Sequence, residues 1–270
     1  MTTLGGTPAL IGLPYDASSS YQRGPADAPA AIRDALWSPS ANSWSELGIN
    51  IGAERAITDA GDLDLARCSP ADARRAIENG IGRLLAMGAR PVSLGGDHSV
   101  TYPVLRAVRR QAPSLTILHV DAHPDLYDEF EGDRYSHACP FARIMEEQLA
   151  DRLVQVGIRT MTDHQRAQAH RFGVEVIEMR NIQGNLRVPL YGPVYVSVDI
   201  DALDPAFAPG VSHREPGGLS VRQLLSLLHG IEEPIVAADV VELNPRNDVT
   251  GLSAMVAGKV VRELIGVMLR

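Results

Sequence analysis

Cysteine is nearly missing from this 270-residue chain, which holds only Cys68 and Cys139. Two thiols cannot build the disulfide framework of a small secreted fold, and the scarcity points to a reducing cytoplasm. Long apolar runs are missing too. None reaches the roughly 18 residues that a membrane span needs, so no membrane partner is expected. The opening, MTTLGGTPALIGLPYD, lacks the basic n-region and cleavage site of a signal peptide. Positive charge is short: 25 Lys and Arg face 33 Asp and Glu, a formal net charge of -8. Arg106, Arg109 and Arg110 read as the solvated face of one helix, so nucleic acid is not an expected partner. No linker, low-complexity tract or fixed-period repeat interrupts the chain, and residues 1–270 read as one domain.

What is present is alternation. Short β-rich apolar runs stand at 9–15, 90–96, 115–120, 153–159, 174–179, 193–201 and 234–243. Helical patterns fall between and after them, at 27–36, 69–88, 100–111, 139–150, 163–173, 220–231 and 251–269. Asp27 reads as a cap for the first helix; Ser69, Pro70 and Gly88 read as the start and stop of the second. Such alternation implies an α/β fold of parallel strands with helices on both faces. Ligands in such sheets sit beyond the carboxyl ends of the strands.

Three of those strand ends carry one signature. SLGGDHS (93–99) offers Asp97 and His98 after two glycines. HVDAHPD (119–125) offers Asp121, His123 and Asp125, and SVDIDALDP (197–205) offers Asp199, Asp201 and Asp204. Alternate residues of an extended strand face the same way, so each set can converge. One carboxylate at a strand end is an ordinary loop residue or cap. Several gathered together repel one another and lose hydration unless a counter-charge sits among them. A donor set of carboxylate and imidazole without thiolate favours Mn²⁺ before Zn²⁺. Six such groups suit two ions roughly 4 Å apart rather than one.

GGDHS, DAHPD and SVDIDALDPAFAPG together resemble the ureohydrolases, the arginases, agmatinases and related guanidino hydrolases. GDRYSHACPFARIMEE, LVQVGIRT, PGVSHREPGGLS and ADVVELNPRND are most similar to plant-type arginases and their bacterial relatives. The resemblance runs nearly the whole chain. It implies a three-layer α/β/α domain with a central, mainly parallel eight-stranded sheet, two Mn²⁺ per subunit and a homo-oligomer, trimer or hexamer. It implies that His98 and Asp125 hold one ion, that His123 and Asp201 hold the other, and that Asp121 and Asp199 bridge them.

The same resemblance assigns catalytic work to Asp125, His137 and Glu242: a proton passed to the leaving amine, a proton shuttle, and a grip on the guanidinium. The substrate is then a small guanidino compound, cleaved to urea and an amine. L-arginine is favoured, with agmatine or a guanidino acid as alternatives. Head-group recognition is expected from loops 126–137 and 206–218. There, Arg134 and Ser136 are placed to receive a carboxylate, and Asp128, Glu129, Glu131 and Asp133 an amine. Asp133-Arg134 stands where plant arginases tend to have Asn-Lys. Asp97 and Asp204 read as supporting or turn-forming residues, His119 as a core histidine, and Cys139 as a free buried thiol. His213 departs from the small residues usual in agmatinases at that loop. A single-zinc deacetylase on the same type of fold is the rival from another class, and its site uses fewer ligands.

Overall fold

The structure is a computed structural model that describes residues 6–184 and 186–270. In chain order the described elements are β1 (Pro8–Gly12), α1 (Ala28–Leu36), β2 (Thr58–Asp62), α2 (Pro70–Ala86), β3 (Arg90–Leu94) and α3 (Thr101–Arg109). Then come β4 (Thr116–Val120), α4 (Pro140–Glu146), β5 (Arg152–Ile158), α5 (Asp163–Phe172) and β6 (Glu175–Glu178). β7 (Val194–Asp199), α6 (Val221–His229), β8 (Ile235–Val241) and α7 (Leu252–Leu269) complete them. The strands form one sheet in the order β2-β1-β3-β8-β7-β4-β5-β6. Every pairing between these strands is parallel, so the sheet expected to be mainly parallel is wholly so.

Helices on both faces explain why the central strands read as unbroken apolar runs instead of alternating ones. β4, β7 and β8 are buried at every position. One core joins α1, α6 and α7 to the sheet through Ile32, Leu228, Val260 and Leu264. The other lies beneath α2, α3 and α4 and holds Ile77, Leu105, Phe141 and Tyr195.

Three helices, α2, α5 and α6, start on side-chain caps, and the cap expected at Asp27 is missing. The Ser69 side chain accepts the Asp72 amide at the start of α2, and Gly88 beyond its end takes a φ of 78°. Thr162 and Ser220 each close a capping box, with Gln165 and Gln223. Asp27 precedes α1 but makes no side-chain cap bond; its carboxylate pairs with Arg246 2.9 Å away. A short 3-10 turn, Pro25–Asp27, leads into that helix and leaves the carboxylate facing out.

β2 has no apolar signal in the sequence. Its five residues, TDAGD, are all exposed, and the strand exists because its backbone pairs with β1. Arg33 of α1 reaches its Asp59 and Asp62. Among the described residues no helix is long and apolar enough to cross a membrane.

Candidate metal centre and substrate pocket

The carboxyl ends of β3, β8, β7 and β4, four neighbours at the centre of the sheet, open onto one site. After β3 the chain turns at Gly95 and Gly96, with φ of 47° and 106°. A Cβ on Gly96 would lie 2.6 Å from the Leu13 carbonyl oxygen, so this turn needs glycine to present Asp97 and His98. After β4, the His123 amide donates to Asp121 Oδ1 at 2.6 Å, and after β7 the Asp201 amide donates to Asp199 Oδ1 at 2.7 Å. Each bond fixes one carboxylate by its Oδ1 and turns its Oδ2 into the site.

Those Oδ2 atoms converge. His98 Nδ1 lies 3.1 Å from Asp121 Oδ2, 3.1 Å from Asp125 Oδ2 and 3.2 Å from Asp199 Oδ2. It is wholly buried and has no hydrogen-bond partner. His123 Nδ1 lies 3.1 Å from Asp201 Oδ2 and 3.5 Å from Asp121 Oδ1. Asp121 thus turns one oxygen to each histidine. Donor atoms about 3 Å apart match the edge of an octahedron with bonds of ~2.1 Å. An orphaned, buried imidazole nitrogen amid three carboxylate oxygens is what a divalent cation would satisfy, and a second cation fits beside His123 and Asp201. Two groupings that share Asp121 exceed the needs of a single zinc.

The electrostatics agree. Burial, reinforced by Asp201 and Asp121, holds the Asp199 carboxyl well above the usual carboxylate range. Burial also pushes Asp201 up to about 6, against the pull of His123. Asp121 goes the other way: burial opposes ionisation, but His119, His123 and His98 hold it well below the usual range.

His137 and Glu242 meet beside the cluster, with Nδ1 and Oε1 2.8 Å apart. Burial alone would depress the imidazole, but the Glu242 charge and hydrogen bond raise it to about 9. Glu242 is held below its ordinary value: burial opposes this, and the His137 contact wins. The His98 amide also donates to Glu242 Oε1 at 2.9 Å.

Further residues support the site, and two of them, Ser20 and Arg159, are not singled out in the sequence. Ser20 Oγ lies 2.9 Å from His137 Nε2. Its loop is anchored by Asp97, which accepts the Ser18 amide and the Ser19 hydroxyl. Arg159 clamps the loop after β7 by donating to the carbonyls of Asp201, Ala202 and Glu215. His119 does more than fill core: its Nε2 bonds Asp121 Oδ2 at 2.8 Å. Asp204 forms a turn, accepting the amides of Ala206, Gly217 and Gly218.

A cavity of about 320 Å³ opens over the cluster. Beyond His123, Asp125, Asp199, Asp201 and Glu242 it is lined by Ser20, Tyr127, Phe130, His137, Ala138, Thr160, Thr162, Gln165 and His213. The head-group candidates of loop 126–137 are not in that lining. Ser136 is buried outside it, in a small pocket with Ser99 and Tyr102, and its Oγ faces the Ala138 amide. Arg134 is bound to Asp128 and Glu146. Arg143 pins this loop from beneath through the Asp128 and Arg134 carbonyls. Tyr127 and Phe130 therefore face the cavity in place of the charged residues. Cys139 is buried, and burial pushes its thiol up to about 12.

A family model described as "Arginase family" matches residues 7–266. The chain belongs to the arginase family. It is 48% identical to "Arginase 1, mitochondrial" of Oryza sativa subsp. indica, over 98% of this chain and 83% of the relative. Against "Arginase 1, mitochondrial" of Arabidopsis thaliana it is 49% identical, over 97% of this chain and 82% of the relative. Among solved structures, an arginase from Medicago truncatula superposes with a TM-score of 0.92 at 44% identity, covering 98% of this chain and 88% of that one. As an arginase-family member the chain is a hydrolase of the ureohydrolase type, and its site is that of a metal-dependent enzyme.

The expectation of a cytoplasmic protein is overturned here. Both plant relatives are named as mitochondrial, so neither supports a cytoplasmic reading. Cysteine scarcity reports on redox chemistry and does not distinguish one compartment from another.

Proposed function

We propose that the protein is an arginase, hydrolysing L-arginine to L-ornithine and urea, with two Mn²⁺ ions per subunit. The observation that carries the choice of substrate is the outer half of the cavity. Beyond the ligand cluster and Glu242, its lining holds hydroxyls, a carboxamide, aromatic rings and two histidines, with no carboxylate, lysine or arginine among the described residues. The terminal ammonium of agmatine would be desolvated there without an opposite charge. The lone carboxylate of a simple guanidino acid would find no guanidinium or ammonium partner. The α-amino-acid head of arginine is a zwitterion and needs neutral donors and acceptors. Gln165 fits that need. Thr162 occupies its Oε1 through both amide and hydroxyl, and its amide NH₂ is left for the cavity. The plant relatives named as arginases support the same choice.

A bound pair of divalent ions supplies Lewis acidity and lowers the pKa of water at the site. In this reading, His98, Asp121, His123, Asp125, Asp199 and Asp201 would hold the two ions. Glu242 binds the guanidinium by charge-assisted hydrogen bonds and centres its carbon over the cluster. Asp125 passes a proton to the departing amine. His137, held between Glu242 and Ser20, moves protons between the site and solvent. Residues 1–270 act as one ureohydrolase domain, in a homo-oligomer of three or six subunits.

The test is urea release by Mn²⁺-loaded protein with L-arginine, agmatine and 4-guanidinobutyrate at equal concentrations, with chelated protein as control. Arginine should be preferred by at least tenfold in kcat/KM. A preference for agmatine would overturn the substrate; no urea from any of them would overturn the activity.

A further inference from the structure

Polar residues inside the buried sheet fall on one transverse row. Ser93 of β3 is in register with Asp239 of β8, and Asp239 with Ser197 of β7. Ser197 is in register with His119 of β4, and His119 with Gln155 of β5. All five are wholly buried. In-register partners project from the same face, here the one covered by α2, α3 and α4. Buried polar side chains are costly unless they are used; Ser93 Oγ finds no hydrogen-bond partner among the described residues, while the other four side chains are engaged.

The donors can be assigned. Asp239 has no cationic partner among the described residues; its carboxylate accepts the hydroxyls of Ser197 (2.7 Å), Thr101 (2.7 Å) and Tyr195. The single Ser197 proton is spent on Asp239, so Ser197 Oγ can only accept from His98 Nε2, 3.0 Å away. His98 therefore carries its proton on Nε2 and leaves the Nδ1 lone pair to the three carboxylates' meeting point. The other half of the row works alike. Gln155 Nε2 donates to the Pro124 carbonyl at 2.6 Å and to His119 Nδ1 at 3.0 Å, so His119 donates from Nε2 to Asp121.

We propose that Asp239 is a positioning residue: acting through Ser197, it fixes the His98 tautomer and dedicates Nδ1 to one divalent cation. Gln155 fixes the His119 tautomer in the same way, and His119 then holds the Asp121 carboxylate in place by donating to Oδ2. The proposal rests on the two-ion site of the functional reading. It adds that the ligand geometry is set from inside the sheet, by residues that touch neither ion nor substrate.

The test titrates Mn²⁺ into chelator-stripped full-length protein, follows free Mn²⁺ by electron spin resonance, and records thermal unfolding alongside. Wild type should bind two ions. Ser197→Ala and Asp239→Asn should each weaken one ion by about 10- to 100-fold and spare the other. Ser197→Thr keeps the hydroxyl and should keep both. Gln155→Leu frees Asp121, which faces both ions, and should weaken both together. Tyr195→Phe removes a hydroxyl from Asp239 off the path to His98; it should lower the unfolding temperature and leave both affinities in place. Wild-type affinities in Ser197→Ala and Asp239→Asn would overturn the proposal. So would an equal loss of affinity in Tyr195→Phe, which would mark a general loosening of the core. Two ions bound by wild type without urea release would instead overturn the activity and leave the row standing.

Discussion

Asp125 and Glu242 share an unusual backbone: both are non-glycine residues in the left-handed region, with φ of 49° and 62°. Each such position costs of order 1 kcal/mol or more and persists only where surroundings enforce it. The strain aims Asp125 back at His98 and Glu242 at His137. Glu242→Gln should therefore retain both ions while kcat/KM for arginine falls by at least ~100-fold, measured by steady-state kinetics beside metal analysis. His137→Ala should also retain both ions and lower kcat by roughly 10²- to 10⁴-fold. The His137–Glu242 contact carries a pH signature in chelated protein. His137 is raised to about 9 in the folded state, from an ordinary 6.5. Its contribution to stability is fully present below pH 6.5 and is lost as pH rises through about 9. The gap in unfolding temperature between chelated wild type and His137→Gln should shrink from pH 6.5 to pH 9.5. A gap that widens over that range would contradict the assignment. Cys139, buried and pushed up to about 12, should resist iodoacetamide at pH 8 while half-buried Cys68 is alkylated, as peptide mass mapping would read.

Helix α5 joins local stability to the substrate pocket. Its capping box ties Thr162 to Gln165, the residue whose amide faces the cavity. Thr162→Ala should cost about 1 kcal/mol of stability, and KM for arginine should rise more than kcat falls, since Gln165 loses its anchor. Helix α2 was legible because Ser69 is a cap residue ahead of a helical period, and α5 from its helical pattern alone. The cap at Asp27 was misjudged because proline and a 3-10 turn redirected the chain just before α1. β2 was invisible because an exposed edge strand needs a partner backbone rather than an apolar face. The same divide runs through the site. His98, Asp121, His123, Asp125, Asp199 and Asp201 could be read because strand ends and alternate spacing bring them together. Ser20, Arg159 and Gln165 could not. Each reaches the site through loop and helix-end geometry with no spacing of its own, and the pinning of loop 126–137 by Arg143 turned Ser136 out of the cavity.

At the scale of the molecule, one cluster of buried carboxylates opposes folding until cations neutralise it. Removing the metal should lower the unfolding temperature by several degrees, because a ligand at 100 times its Kd contributes about 2.7 kcal/mol to stability. Calorimetry with and without chelator would measure this, and an unchanged transition would argue against ions bound in the native state. The two open edges of the sheet are kept short and charged. β2 carries Asp59 and Asp62, and β6 carries Glu175 and Glu178. Such edges discourage strand pairing between molecules.

The order of the sheet has a consequence in time. β8 separates β3 from β7 in space, yet it follows every other strand in sequence. Before β8 is made, the native pairings open to the chain are only β2-β1-β3 and β7-β4-β5-β6, and the inner edges of β3 and β7 have no native partner. A ribosome delivers the keystone last. Until residues 235–241 emerge and wedge between the halves, His98 and Asp199 belong to separate bodies, and each half exposes a bare apolar edge to whatever else is nearby. Chaperone demand should therefore peak before β8 emerges, and an arrest before β8 should yield an aggregating chain that binds no metal pair.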